Sequence, residues 1–196
     1  MRVLSLMFAL AGILPSLRAT TVQKLTTADM IAKSTAIVHA KVSGTRTALR
    51  GPAIYTYYQL QVIESWKAPA SQTLEVAVPG GVANGLRQSV AGAPSLNVGG
   101  EYVIFLWTSP SGLTQVIGLS QGLFRVAPDA AGNLQLIRPA ISDLLLDASG
   151  HVISDQGVLN VVQVVLITHQ HVLIAHQHAL IVLARRGVIF RRRRKR

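Results

Sequence analysis

Between residues 36 and 137, apolar and polar side chains alternate in short runs instead of recurring at helical spacing. Ala36, Val38, Ala40 and Val42 alternate with Ile37, His39, Lys41 and Ser43, which predicts a strand with one apolar and one mixed face. Arg50-Gly51-Pro52 signals a turn. A longer strand follows, with Tyr58, Leu60, Val62 and Trp66 on one face and Tyr57, Gln59, Gln61 and Ser65 on the other. Lys67-Ala68-Pro69-Ala70 interrupts it, and Leu74, Val76 and Val78 resume the alternation before Pro79-Gly80-Gly81. Tyr102, Ile104 and Leu106 alternate with Val103, Phe105 and Trp107. Both faces of that run are apolar, as in a strand covered on both sides. Short strands are also predicted over Thr114–Ile117, Leu123–Ala127 and Leu134–Ile137, the last two joined by a turn from Pro128-Asp129 through Gly132-Asn133. One helical signal precedes them all. Thr26 or Thr27 can cap a short helix through Ile31, with Asp29 at its positive end.

These runs, separated by glycine-rich joints, predict an all-β fold: a small antiparallel OB-like barrel or sandwich with a short N-terminal helix. A barrel would also protect its edges. The long crossovers of a doubly wound α/β enzyme are missing.

The runs Ile37-Val38-His39-Ala40-Lys41-Val42 and Tyr55 through Lys67 resemble the early strands of netrin-like or tissue-metalloproteinase-inhibitor-like OB barrels. Leu74–Val78 and Val98-Gly99-Gly100-Glu101-Tyr102-Val103-Ile104-Phe105-Leu106 resemble their later strands. Val78-Pro79-Gly80-Gly81 and Val116-Ile117-Gly118-Leu119-Ser120-Gln121-Gly122 resemble stretches of uncharacterised exported bacterial proteins. The resemblance covers residues 30–127 and implies a fold alone. The chain has no cysteine, so neither the disulfides nor the reactive N-terminal cysteine of the inhibitors has a counterpart.

Charge sharpens the division of the chain. Its 196 residues carry a formal net charge of +11, yet residues 20–184 hold nine Lys/Arg against eight Asp/Glu. A near-neutral body argues against nucleic acid as a partner. Met1-Arg2, the apolar stretch Val3–Leu14 and Ala19 fit a secretory signal over residues 1–19. The expected location is therefore periplasmic or extracellular. Residues 20–150 form the expected β domain and residues 151–196 a separate hydrophobic segment with a basic tail.

Candidate chemistry is sparse. Pro79-Gly80-Gly81-Val82-Ala83-Asn84-Gly85 lacks the G-x-x-x-x-G-K-[ST] pattern of a phosphate loop. Its glycines serve either a sharp turn or a groove for a protein, peptide or cell-envelope component, lined by Gly80, Gly81, Asn84, Arg87, Tyr57 and Trp107. The aromatic rings either fill a β core or present a ligand face. No serine sits in a G-x-S-x-G context, and no catalytic residue is assigned. A hydrolase, with His39 beside Glu64 or Asp29, is an alternative to the noncatalytic binding module.

The C-terminal segment offers two further readings. His169, His171, His176 and His178 stand within ten residues, and neutral imidazole suits zinc, copper or nickel. A histidine-rich metal-binding envelope protein is thus another alternative. Val158–Ala184 holds 18 Ala, Val, Ile or Leu in 27 residues, enough for a membrane span or an interfacial segment. Arg185, Arg186, Arg191, Arg192, Arg193, Arg194, Lys195 and Arg196 would then meet anionic lipid.

Overall fold

The alternation that predicts strands holds, but in the two longest strands it is interrupted. The computed structural model describes residues 21–68, 71–138, 144–147, 149–153, 158–160 and 168. β1 (Thr21–Gln23) and α1 (Thr27–Lys33) precede β2 (Ala36–Arg50) and β3 (Ala53–Lys67), each of 15 residues. These two form one long antiparallel hairpin whose register shifts at Ile37/Val38, His39/Ala40 and Val42/Gly44. Ser43 on β2 and Ile63 and Trp66 on β3 are the residues left without a partner. Each such bulge bends the strand and turns the following side chains to the other face. Simple alternation puts Leu60, Val62 and Trp66 together. The bulge at Ile63 instead sends Trp66 into the opposite core cluster.

The remaining strands are β4 (Thr73–Pro79), β5 (Gly81–Ala83), β6 (Leu86–Gln88), β7 (Glu101–Thr108), β8 (Thr114–Val116), β9 (Leu123–Pro128), β10 (Leu134–Ile137), β11 (Leu144–Leu146), β12 (Val152–Ile153) and β13 (Val158–Asn160). The main sheet runs β13-β10-β9-β7-β2-β3-β4, with β8 also paired to β7. Every ladder in it is antiparallel. β1 pairs parallel with β11, which pairs antiparallel with β12.

β7 is buried on both sides, as its composition requires. Tyr102, Ile104 and Leu106 pack with Val38, Ala40, Val42, Leu60, Val76 and Val78 on the inner face. Val103 and Phe105 pack with Met30, Ile31, Phe124 and Leu136 on the outer face, which α1 covers. That helix starts with a capping box. Thr26 Oγ1 accepts from Asp29 N at 3.0 Å, and Thr26 N donates to the Asp29 carboxylate at 3.3 Å. At its other end Lys67 Nζ donates to the carbonyls of Ile31, Ala32 and Ser34 at 2.5, 3.2 and 2.6 Å. A cation there satisfies orphan carbonyls and ties the helix to β3.

The predicted closed barrel does not form. Strands β4 and β8 stand four ladder steps apart, about 19 Å in a flat sheet, yet their Cα atoms come within 8 Å. The sheet therefore curls strongly. No ladder joins β4 to β8 among the described residues, so the sheet stays open where a barrel would need a continuous set of strand pairs. Residues 89–100 plug the mouth instead, with Leu96 and Ala93 packed into the inner cluster. Among the described residues the fold is sheet-rich with a short N-terminal helix, and the OB-barrel resemblance fails on this opening.

The stretch Val116–Gly122 turns out to be a clasp. Gln121 Oε1 accepts from Leu25 N at 2.7 Å, and Gln121 Nε2 donates to Gln23 O at 3.0 Å. Gly118 has φ of 61°, and a Cβ there would sit 2.8 Å from Leu25 Cδ1. This turn holds the chain between β1 and α1.

Candidate binding surface

Residues 80–88 form a hairpin that lies against the far end of β2 and β3. Gly81, Val82 and Ala83 pair with Gln88, Arg87 and Leu86 across Asn84-Gly85. Asn84 and Gly85 have φ of 51° and 75°, the two positive values that a tight two-residue hairpin turn demands. Gly81 has φ of 134°, and a Cβ on it would lie 2.6 Å from Thr56 Oγ1 and 3.0 Å from Thr47 Cγ2. Only glycine lets the hairpin approach so closely.

Backbone and side-chain hydrogen bonds then fix it. Gly80 N donates to Ile54 O at 2.8 Å, and Thr56 Oγ1 donates to Gly80 O at 2.9 Å. Thr47 Oγ1 donates to Val82 O at 2.6 Å, and Ile54 N donates to Gln88 Oε1 at 2.7 Å. Val82, with Arg87, projects from the face turned away from that support, and Leu86 from the opposite face, 47% and 62% exposed. Leu49, 42% exposed, lies two residues beyond Thr47 and so on the same strand face. Arg87 and Asn84 are exposed beside them. Arg87 makes no ion pair among the described residues.

The structure thus brings Gly80, Gly81, Asn84 and Arg87 together and separates Tyr57 and Trp107 from them. Thr56 faces the hairpin, so its neighbour Tyr57 faces the other way. The Tyr57 ring is buried under the Arg46 guanidinium, 4.2 Å from its centroid. Arg46 in turn forks onto Glu75, with Nη2 at 2.8 Å and Nε at 3.1 Å. Trp107, 41% exposed, stands on β7 opposite Gln115, on the face away from Leu106. Most of the other rings among the described residues fill the core: Trp66, Tyr102, Phe105 and Phe124 are buried.

His39 meets the carboxylate of Glu101 on β7, and Glu64, one of its expected neighbours, stands directly opposite it on β3. Its Nε2 lies 2.6 Å from Glu101 Oε1, and its ring is 6.4 Å from that of Trp66. Trp66 Nε1 is buried without a hydrogen-bond partner among the described residues. The pair has the makings of an ion pair, and among the described residues no hydrogen bond joins it to a serine or to Glu64.

The expected metal centre is corrected. Among the described residues no group of three or more His, Cys, Asp or Glu is placed to hold an ion. Among the described residues His39 and His151 each pair with one carboxylate within 4 Å, Glu101 and Asp147, which is short of a ligand set for zinc, copper or nickel. His169, His171, His176 and His178 lie outside the described residues. The expected membrane attachment is corrected as well. Among the described residues no helix is long and apolar enough to cross a membrane. The first residues of the expected span, Val158–Asn160, are instead strand β13, paired to β10. Residues 1–19 and the basic residues 185–196 lie outside the described residues.

Sequence reasoning missed the exposed Val82 and Leu86 and the Arg46–Glu75 fork. Asn84-Gly85 was the available signal, since that dipeptide between two short runs marks a tight hairpin. No protein-family model and no curated protein matches the chain, so nothing supports the inhibitor-like barrel family or an exported bacterial family.

Proposed function

We propose that this chain is a noncatalytic binding module that takes a peptide segment of another protein on the β5–β6 hairpin. One observation carries the reading: Val82 and Leu86 are exposed on the two faces of a hairpin held rigid by its glycines and its bonds to Thr47, Ile54 and Thr56, with Leu49 exposed on the adjoining β2. Exposed apolar side chains on a preorganised support lose little conformational entropy when a partner covers them. Apolar anchors beside polar groups, as Val82 stands beside Arg87, are the usual anatomy of a recognition centre. Arg87 opposes Val82 across the hairpin and has no acidic partner among the described residues, so it favours a segment with a carboxylate beside its apolar residues.

A displayed random-peptide library selected on the full chain tests this. Enriched peptides should pair apolar with acidic residues and bind Leu86→Asp at least about tenfold more weakly, as truncation of a central apolar anchor does. Val82→Asp should behave alike, with both variants melting as wild type does. Selected peptides that bind both variants as tightly as the wild type would overturn the reading.

A further inference from the structure

A second site lies apart from the hairpin, where the loop before β7 crosses strands β9 and β10. Arg125 on β9 stands opposite Tyr102 on β7 and opposite Ile137 on β10. Directly opposed residues share a face, so the three make a row across the sheet. Over that row runs the loop, in which Pro94 and Leu96 turn inward while Ser95 and Asn97 stay exposed. Tyr102 holds the loop in place, its hydroxyl accepting from Asn97 N at 3.0 Å. Ser95, Asn97, Tyr102, Arg125 and Ile137 together line a cleft of about 330 Å³.

The lining is rich in donors that the fold leaves unused. Among the described residues, neither the Arg125 guanidinium nor the Ser95 hydroxyl nor the Asn97 side-chain amide has a hydrogen-bond partner, and the Tyr102 hydroxyl donates to none. Tyr102 is only 3% exposed, so its hydroxyl hydrogen has little bulk water to turn to. Among the described residues no acidic side chain lines the cleft.

We infer that this cleft binds a small carboxylate-bearing ligand. The guanidinium fork matches the two oxygens of a carboxylate, with Ser95, Asn97 and Tyr102 as further donors. Ile137 offers the wall for a short apolar group beside it. The volume lies near the lower end of the range for small-molecule sites, roughly 300–1,000 Å³, which fits a ligand the size of one side chain. A phosphate, with its second charge, would face a single cation among the described residues. Two sources share the chemistry: a free short-chain acid and the C-terminal end of a peptide.

The test is an NMR titration of the full chain that follows the Arg125 Nε–H and Asn97 side-chain amide signals. The probes are isovalerate, N-acetyl-Ala-Ala-Leu with a free C-terminus, the same peptide amidated, and inorganic phosphate. A carboxylate probe should shift both signals saturably, and the amidated peptide should bind at least about tenfold more weakly, as loss of a charge-assisted hydrogen bond implies. Arg125→Gln should weaken carboxylate binding by about tenfold and Asn97→Ala by about threefold, both with unchanged melting. Tighter binding of isovalerate assigns the site to a free acid, and tighter binding of the peptide assigns it to a chain end. Three results would each overturn the inference: no saturable shift, equal binding of the amidated peptide or phosphate, or wild-type affinity in Arg125→Gln.

Discussion

Strand β7 and hairpin β5–β6 use the same kinds of side chain to opposite ends. Val103, Ile104, Phe105 and Leu106 are essentially inaccessible, gripped by clusters on both faces of the sheet. Val82 and Leu86 stand in solvent. What differs is the support. β7 is held by its packed apolar side chains, whereas the hairpin is held by hydrogen bonds of its backbone and of Thr47, Thr56 and Gln88, and by a glycine that admits close approach, which leaves Val82 and Leu86 exposed. Stability therefore concentrates around β7, and recognition is available at the hairpin.

That contrast can be broken at either end. Phe105→Ala should have the largest effect, because it empties a site packed against Phe124, 5.7 Å away between ring centroids. A loss of about 3–5 kcal/mol is expected by urea denaturation. Gly81→Ala comes next, combining a left-handed φ with a 2.6 Å approach to Thr56. It should cost about 2 kcal/mol and also displace the hairpin, visible as faster hydrogen exchange at Gly80 and Val82. Thr26→Ala removes the helix cap on the far side and should cost about 1 kcal/mol, leaving hairpin exchange unchanged.

The smallest effect is acid-dependent and concerns turns. Asp129 accepts from the Asn133 and Ala131 amides, and Asp147 from the His151 and Ser149 amides. Those bonds hold both carboxyls below the ordinary aspartate range, the Asn133 and His151 amides contributing most. A carboxyl lowered by folding gives stability that is present above its unfolded value and lost as pH falls through the folded one. The melting temperature should thus decline as pH drops below about 4, and Asp129→Asn should flatten that decline slightly.

How much of this was legible depended on whether one strand's sequence was sufficient. β7 was readable because an apolar run on both faces can only be an interior strand. The helix was readable because Thr26 and Asp29 form a local box. The bulges were not, since which residue goes unpaired is decided jointly by β2 and β3. Curling without closure was equally hidden, because alternation does not say whether two edges meet. The hairpin was half legible: Asn84-Gly85 names the turn, but its three-residue strands carry no alternation worth reading. Arg125 looked like any solvated strand position. It becomes a site only through its register with Tyr102 and Ile137 and through the loop that crosses them.

The most direct measurement is the affinity of one selected peptide for wild type and Leu86→Asp, with urea midpoints recorded on the same samples. The account predicts at least about tenfold weaker binding to the variant at an unchanged midpoint. Equal binding, or weaker binding seen only alongside a lowered midpoint, would contradict it.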